Sequence, residues 1–132
     1  MKRFMLDTNT VSHLLKAHPA VTRRVVAAPM AALCISAITE GELLYGLAKR
    51  PEANRLHAAV REFLKRMDVL PWDSAVAERH GAVRAAIERQ GKALAPLDLL
   101  IATHALATES VLVTNDRAFW QVAGLQLEDW VA

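Results

Sequence analysis

The chain has 132 residues and a formal net charge of +2, with 53% apolar residues, only 5% aromatic ones and a single cysteine. A chain of this length suits one domain, spanning 1–132, with an aliphatic core that hides roughly two-thirds of the surface the unfolded form exposes. Cys34 alone excludes an intrachain disulfide and a thiolate metal site and fits a reducing cytoplasm. The stretch Met1 to Asp7 meets an acid too early for a signal peptide, and no segment has the apolar length of a membrane span.

In chain order, Phe4-Met5-Leu6 reads as a short buried strand that ends in Asp7-Thr8-Asn9. A short helix follows around Val11 to Lys16. Pro19 suits the first turn of a second helix carrying Val21, Val25 and Val26, which Pro29 ends. Ala32-Leu33-Cys34-Ile35 reads as a second buried strand. Thr39 and Glu42 form a T-x-x-E capping pattern ahead of Leu43 and Leu44. Pro51 is expected to open a longer helix with Leu56, Val60, Phe63, Leu64 and Met67 at helical spacing. Val69-Leu70 is a candidate strand. Asp73 or Ser74 caps the next helix, which stops before Gly91. Pro96 opens a helix with Asp98 in its first turn. Val111 to Thr114 is the clearest strand, Asn115-Asp116 turns into a short helix with Phe119 and Trp120, and residues 125–130 supply a last edge strand. Strands that alternate with helices, and that read as continuous apolar runs, predict an α/β fold. Its parallel sheet is covered on both faces, with ligands bound beyond the carboxyl ends of the strands.

That topology sends acids toward one edge. Asp7 follows the first strand, Glu42 lies near the start of the helix after the second, Asp98 opens a helix and Asp116 follows the fourth strand. Four carboxylates brought together repel one another unless a cation neutralises them. Hard divalent cations prefer such oxygen ligands. A bound one steadies charge on a phosphoryl oxygen and acidifies water, so phosphodiester hydrolysis needs no histidine or lysine base. Taken singly, the acids have plainer duties: Glu42 completes a capping box with Thr39, and Asp98 and Asp116 complement helix N-termini. Asp7 has no evident structural duty. Residues 49–92 carry ten Lys and Arg against six Asp and Glu, and setting the four acids aside leaves ten acids against sixteen bases elsewhere. Such a surface suits an anionic polymer approaching an acidic pocket, although a solvated helix of mixed charge explains the same count.

The motifs themselves are familiar. Met5-Leu6-Asp7-Thr8-Asn9, Ser36-Ala37-Ile38-Thr39-Glu40-Gly41-Glu42-Leu43-Leu44-Tyr45-Gly46, Pro96-Leu97-Asp98-Leu99-Leu100-Ile101-Ala102 and Val113-Thr114-Asn115-Asp116-Arg117-Ala118-Phe119 resemble, in order, the four acidic motifs of PIN-domain ribonucleases. The tail Gly124 to Trp130 matches too. The likeness spans the whole chain and is nearest to the VapC-type toxins of type II toxin–antitoxin modules. It implies a Rossmann-like PIN domain and a Mg²⁺-dependent endoribonuclease, with Mn²⁺ as a substitute, that cuts tRNA or rRNA and so arrests translation. It also implies a homodimer silenced by a VapB-type antitoxin, with promoter DNA reached only through that partner. Carried over residue by residue, Asp7, Asp98, Asp116 and Glu42 are the metal-binding and catalytic acids. Thr8, Asn9, Thr114 and Asn115 stand behind them or face the phosphate. Where many relatives have Gly-x-Pro-Ile, this chain has Gly91-Lys92-Ala93-Leu94-Ala95. Where relatives often have Asn-Asn, it has Asn115-Asp116, which favours a metal role for Asp116. The competing readings are a housekeeping RNA-processing nuclease and a non-catalytic binding module.

Other side chains have modest expectations. His104 lies six residues after Asp98 and is expected to pack, Cys34 to be inert, and Trp72, Trp120 and Trp130 to pack or to stack on bases. Arg23, Arg24, Lys49, Arg50 and Arg117 are candidates for phosphate contacts. The helices bearing Leu44, Tyr45 and Leu56 are the expected walls of a partner groove.

Overall fold

The computed structural model describes residues 2–132; Met1, part of the N-terminal stretch read above, lies outside the described residues. Five short strands, β1 (Phe4–Leu6), β2 (Leu33–Ser36), β3 (Asp68–Leu70), β4 (Val111–Val113) and β5 (Leu127–Glu128), form one sheet in the order β3-β2-β1-β4-β5. Every pairing is parallel, with Phe4 opposite Leu33 on one side and Val111 on the other. Six α-helices connect the strands: α1 (Thr8–Leu15), α2 (Pro19–Ala27), α3 (Ala37–Ala48), α4 (Asn54–Arg66), α5 (Ser74–Arg89) and α6 (Pro96–Ala107). A 3₁₀ turn, Arg117–Gln121, follows β4. The α/β fold with a parallel sheet and helices on both faces is the one the alternation of elements predicts.

The strands feed two cores by alternation, because successive side chains in a strand point to opposite faces. Leu6, Leu33, Ile35 and Val113 join Val11, Val21, Leu43, Leu47 and Val60, so α1 to α4 cover one face. Met5, Cys34 and Leu112 join Ile87, Leu99, Ile101, Ala102 and Phe119, so α5, α6 and the 3₁₀ turn cover the other. Cys34 is fully buried in that second core, as its apolar neighbours in the sequence suggest.

Local chemistry sets the helix boundaries and corrects two expectations. Ser36, not Thr39, caps α3, accepting from the Ile38 N–H at 3.0 Å. Thr39 is fully buried within the first turn, and Glu42 stands a turn further on, so neither forms the capping box. Pro51 lies in a turn, and α4 starts at Asn54 after the Ala53 N–H closes on the Arg50 carbonyl. Val26 is 78% exposed, since it sits one residue round the helix from Val25 and off the face that buries Val21. Pro19 and Pro96 occupy first turns, where a missing N–H costs nothing. Asp73 caps α5 through the Val76 N–H, and Gly91 takes the left-handed φ of +68° just past its end.

The strand order reverses beside β1. The chain runs outward through β2 and β3 on one side, then returns across the opposite face to β4 on the other. The carboxyl ends of β1 and β4 therefore diverge into a crevice, the place where open parallel sheets bind ligands. Among the described residues, no helix is long and apolar enough to cross a membrane.

Candidate active site

The crevice holds a small cavity of about 90 Å³, lined by Asp7, Thr8, Asn9, Glu42, Asp98, Ile101, Asp116 and Phe119. All four predicted acids share it. A roomier hollow of about 330 Å³ between α5 and α6 has Glu88 as its only carboxylate and lacks this chemistry.

Each acid is delivered differently. Asp7 ends β1, where its N–H bonds to the Val113 carbonyl at 3.1 Å and locks it to the tip of β4. It is nearly fully buried, and Oδ1 accepts from the Thr10 N–H at 2.8 Å. Asp7 thus caps α1, a structural duty the sequence reading missed. The Thr10 hydroxyl donates to the same Val113 carbonyl at 2.9 Å and ties α1 to β4. Glu42 projects from the second turn of α3 and accepts the Thr8 hydroxyl at 2.6 Å. Asp116 caps the 3₁₀ turn through the Ala118 N–H at 2.9 Å, and its own N–H is held by the Thr114 hydroxyl at 3.1 Å. Asp98, in the first turn of α6, differs: among the described residues it accepts no hydrogen bond from a protein donor.

Of the four supporting residues predicted, Thr8 and Asn9 line the cavity, and Thr114 is buried beneath it, steadying Asp116. Asn115 is exposed and does not line it. Ile101 and Phe119 complete the wall, and sequence reasoning passed over both. Each stands three residues after a cavity acid, a spacing that places it on the same side of a helical turn.

The electrostatics carry the mark of an uncompensated cluster. Burial raises the Asp7 carboxyl above its ordinary range, opposed by hydrogen bonds from Thr114 and Thr10, with the Asp116 charge adding to the rise. Asp98 is raised by burial first, then by repulsion from Asp116, Glu42 and Asp7 in turn. A carboxyl with a raised folded pKa favours the fold only while protonated. Its contribution is whole below the ordinary value of 3.8 and is lost as pH rises through the raised one. At neutral pH, then, the metal-free fold bears this repulsion. Asp98→Asn should melt a few degrees above the wild type in chelator at pH 7. The gap should close as the pH is lowered toward the ordinary carboxylate value; identical melting at pH 7 would show that the charges do not oppose one another.

The donor set suits a hard divalent cation of a particular kind. Among the described residues, no three His, Cys, Asp or Glu side chains stand together as a ready-made cage. Mg²⁺ does not require one, because it keeps much of its water and binds through one or two carboxylates plus substrate phosphates. Asp98, unpaired and repelled, could anchor such an ion, with Asp7 lining the same cavity.

The remaining candidates separate cleanly. His104 is fully buried, 2.7 Å from the Ser36 hydroxyl, with its pKa lowered by burial, so it packs as expected. Trp130 is buried, and the Trp72 indole N–H donates to the Leu100 carbonyl, whereas Trp120 is 70% exposed. Arg24 is engaged with Glu128 at 2.9 Å. The expected partner groove is shifted. A groove of about 290 Å³ opens beside Thr8 and Glu42, floored by Leu15, Leu43, Leu47, Leu56 and Val60, with Lys16, Lys49 and Arg50 at its rim. Leu56 belongs to it, but Leu44 packs against the core and Tyr45 is exposed.

The sequence pattern that describes the PIN domain matches residues 4–125. The chain is 40% identical to the tRNA(fMet)-specific endonuclease VapC of Shigella flexneri over 98% of its length and 99% of that protein's. It is 34% identical to ribonuclease VapC2 of Haemophilus influenzae over 99% and 100%. The DNA-bound VapBC structure from Salmonella typhimurium superimposes with a TM-score of 0.91 at 39% identity, covering 98% of this chain and 99% of that one. VapBC2 of Rickettsia felis, bound to a DNA fragment from its promoter, gives 0.88 at 29% identity, covering 96% and 98%. With an acid-lined crevice at the β1–β4 junction and matches along its whole length, the chain belongs to the PIN-domain family, in its VapC-type branch.

Proposed function

We propose that this chain is the toxin of a type II toxin–antitoxin module, a divalent-metal-dependent endoribonuclease that hydrolyses RNA and arrests translation. The observation that carries this reading is Asp98, a carboxylate without a protein partner facing three other acids across one cavity. Asp98 and Asp7 would hold Mg²⁺ or Mn²⁺, with Glu42 and Asp116 completing the charge around it. When bound, such a cation offsets charge on the phosphoryl group and acidifies the attacking water. The chain's own residues do the positioning. Thr8 aims Glu42, the caps fix Asp7 and Asp116, and Ile101 and Phe119 keep one wall apolar. A cavity of about 90 Å³ admits a hydrated ion but no nucleotide, so the substrate lies across its mouth.

The relatives from Shigella and Salmonella are named for tRNA(fMet), and that tRNA is the substrate we assign. We assign the chain a VapB-type antitoxin as partner, with promoter DNA bound through it, from the VapBC complexes it resembles. The groove beside Glu42 is where an amphipathic partner segment would lie, and an arginine from it would reach the carboxylates. We assign residues 1–132 to a single PIN domain that works as a homodimer in the cytoplasm. The purified chain should cut tRNA in millimolar Mg²⁺ and stop in EDTA, with activity restored by excess Mg²⁺ or Mn²⁺. Undiminished cutting in chelator would refute the metal-dependent reading.

A further inference from the structure

Among the described residues five large hydrophobic side chains are exposed, and two of them, Tyr45 and Trp120, are aromatic. Both follow a cavity acid closely. Tyr45 lies three residues after Glu42 on α3, and Trp120 lies four after Asp116, next to Phe119 of the cavity wall. Because α3 follows β2 and the 3₁₀ turn follows β4, the two elements that bear these rings leave the sheet on opposite sides of β1, and each also bears a cavity residue, Glu42 or Phe119. Each ring has a cation over it, with the Lys49 ammonium 4.5 Å from the Tyr45 centroid and the Arg117 guanidinium 5.4 Å from that of Trp120. Among the described residues neither cation has an acidic partner, so each keeps its charge for a phosphate.

Resting on the nuclease reading above, we infer that Tyr45–Lys49 and Trp120–Arg117 are two nucleobase platforms. They flank the cavity and grip the unpaired nucleotides on either side of the phosphate to be cut. Every base has a π-face that stacks on an exposed ring, and a neighbouring cation holds the backbone. Only unstacked bases can reach such rings, so the substrate is a single-stranded segment or loop and not a helix. A ring 64% or 70% exposed serves no core, so its removal leaves packing intact. The rings therefore act on substrate binding and not on the bond-breaking step.

Fluorescence and kinetics test this together. In the full chain carrying Asp98→Asn, a short single-stranded RNA should quench tryptophan emission, and the same sequence as a duplex should not. The quench should vanish in Trp120→Phe, which retains Trp72 and Trp130. In the otherwise wild-type chain, Trp120→Ala and Tyr45→Ala should each raise KM about tenfold with kcat little changed, and the Phe variants should stay near wild type. Unchanged KM in both alanine variants, or equal losses in the alanine and phenylalanine variants, would overturn the inference. So would a Trp120→Ala chain that alters self-association while binding RNA normally. If the wild type binds RNA with a Trp120-dependent quench yet never cuts it, the nuclease reading fails and the platforms stand.

Discussion

Asp7→Asn should abolish metal-dependent RNA cleavage while the protein keeps its fold. Asp7 has two roles that this change separates. Its Oδ1 caps α1 through the Thr10 N–H, and asparagine caps as well as aspartate does. Its charge belongs to the cavity, and asparagine removes it. Loss of one charge-stabilising group in a preorganised site costs roughly a hundred- to a thousandfold in rate. Asp7→Ala loses the cap too, about 1 kcal/mol, and should melt lower than Asp7→Asn. Initial rates on tRNA in Mg²⁺, beside melting curves of both variants, check the separation. Substantial activity in Asp7→Asn would remove Asp7 from the metal site.

Growth arrest is the second large effect. Induced alone in bacteria, the chain should stop colony formation, and co-expression with its VapB-type antitoxin should restore it. The physical basis is charge. An anionic pocket beside a groove with an apolar floor and a cationic rim can be closed by one segment that offers an arginine to the carboxylates and hydrophobic anchors to Leu47, Leu56 and Val60. Asp98→Asn should be harmless with or without the antitoxin. Harmless expression of wild-type protein that cuts RNA in vitro would indicate a processing nuclease instead.

The parallel α/β architecture was legible because apolar runs, turn residues and helix punctuation agree along the chain. The gathering of the four acids in one cavity was legible from chain order, since Asp7 and Asp116 follow strands, Glu42 lies in the helix after β2 and Asp98 opens α6. Capping was less so: Ser36 and Thr39 both suit an N-cap, and Ser36 takes it because α3 starts directly at the end of β2. The duty of Asp7 was hidden for a similar reason, since Thr10 is a cap partner only once α1 begins at Thr8. The exposure of Trp120 against the burial of Trp130 depends on distant packing. Trp130 lies against Phe4, under Arg24 and with its indole N–H on Glu128, contacts from three separate parts of the chain.

The reversal of strand order beside β1 also fixes when the molecule becomes dangerous. Asp7 precedes Asp116 by most of this sequence, and the cavity closes only when β4 slots against β1, with Met5 opposite Leu112. A nascent chain therefore carries no assembled site until β4 has emerged. Because such distant pairing forms late, the site assembles only after both halves of the fold are present, and a partner that held β4 away from β1 would silence it.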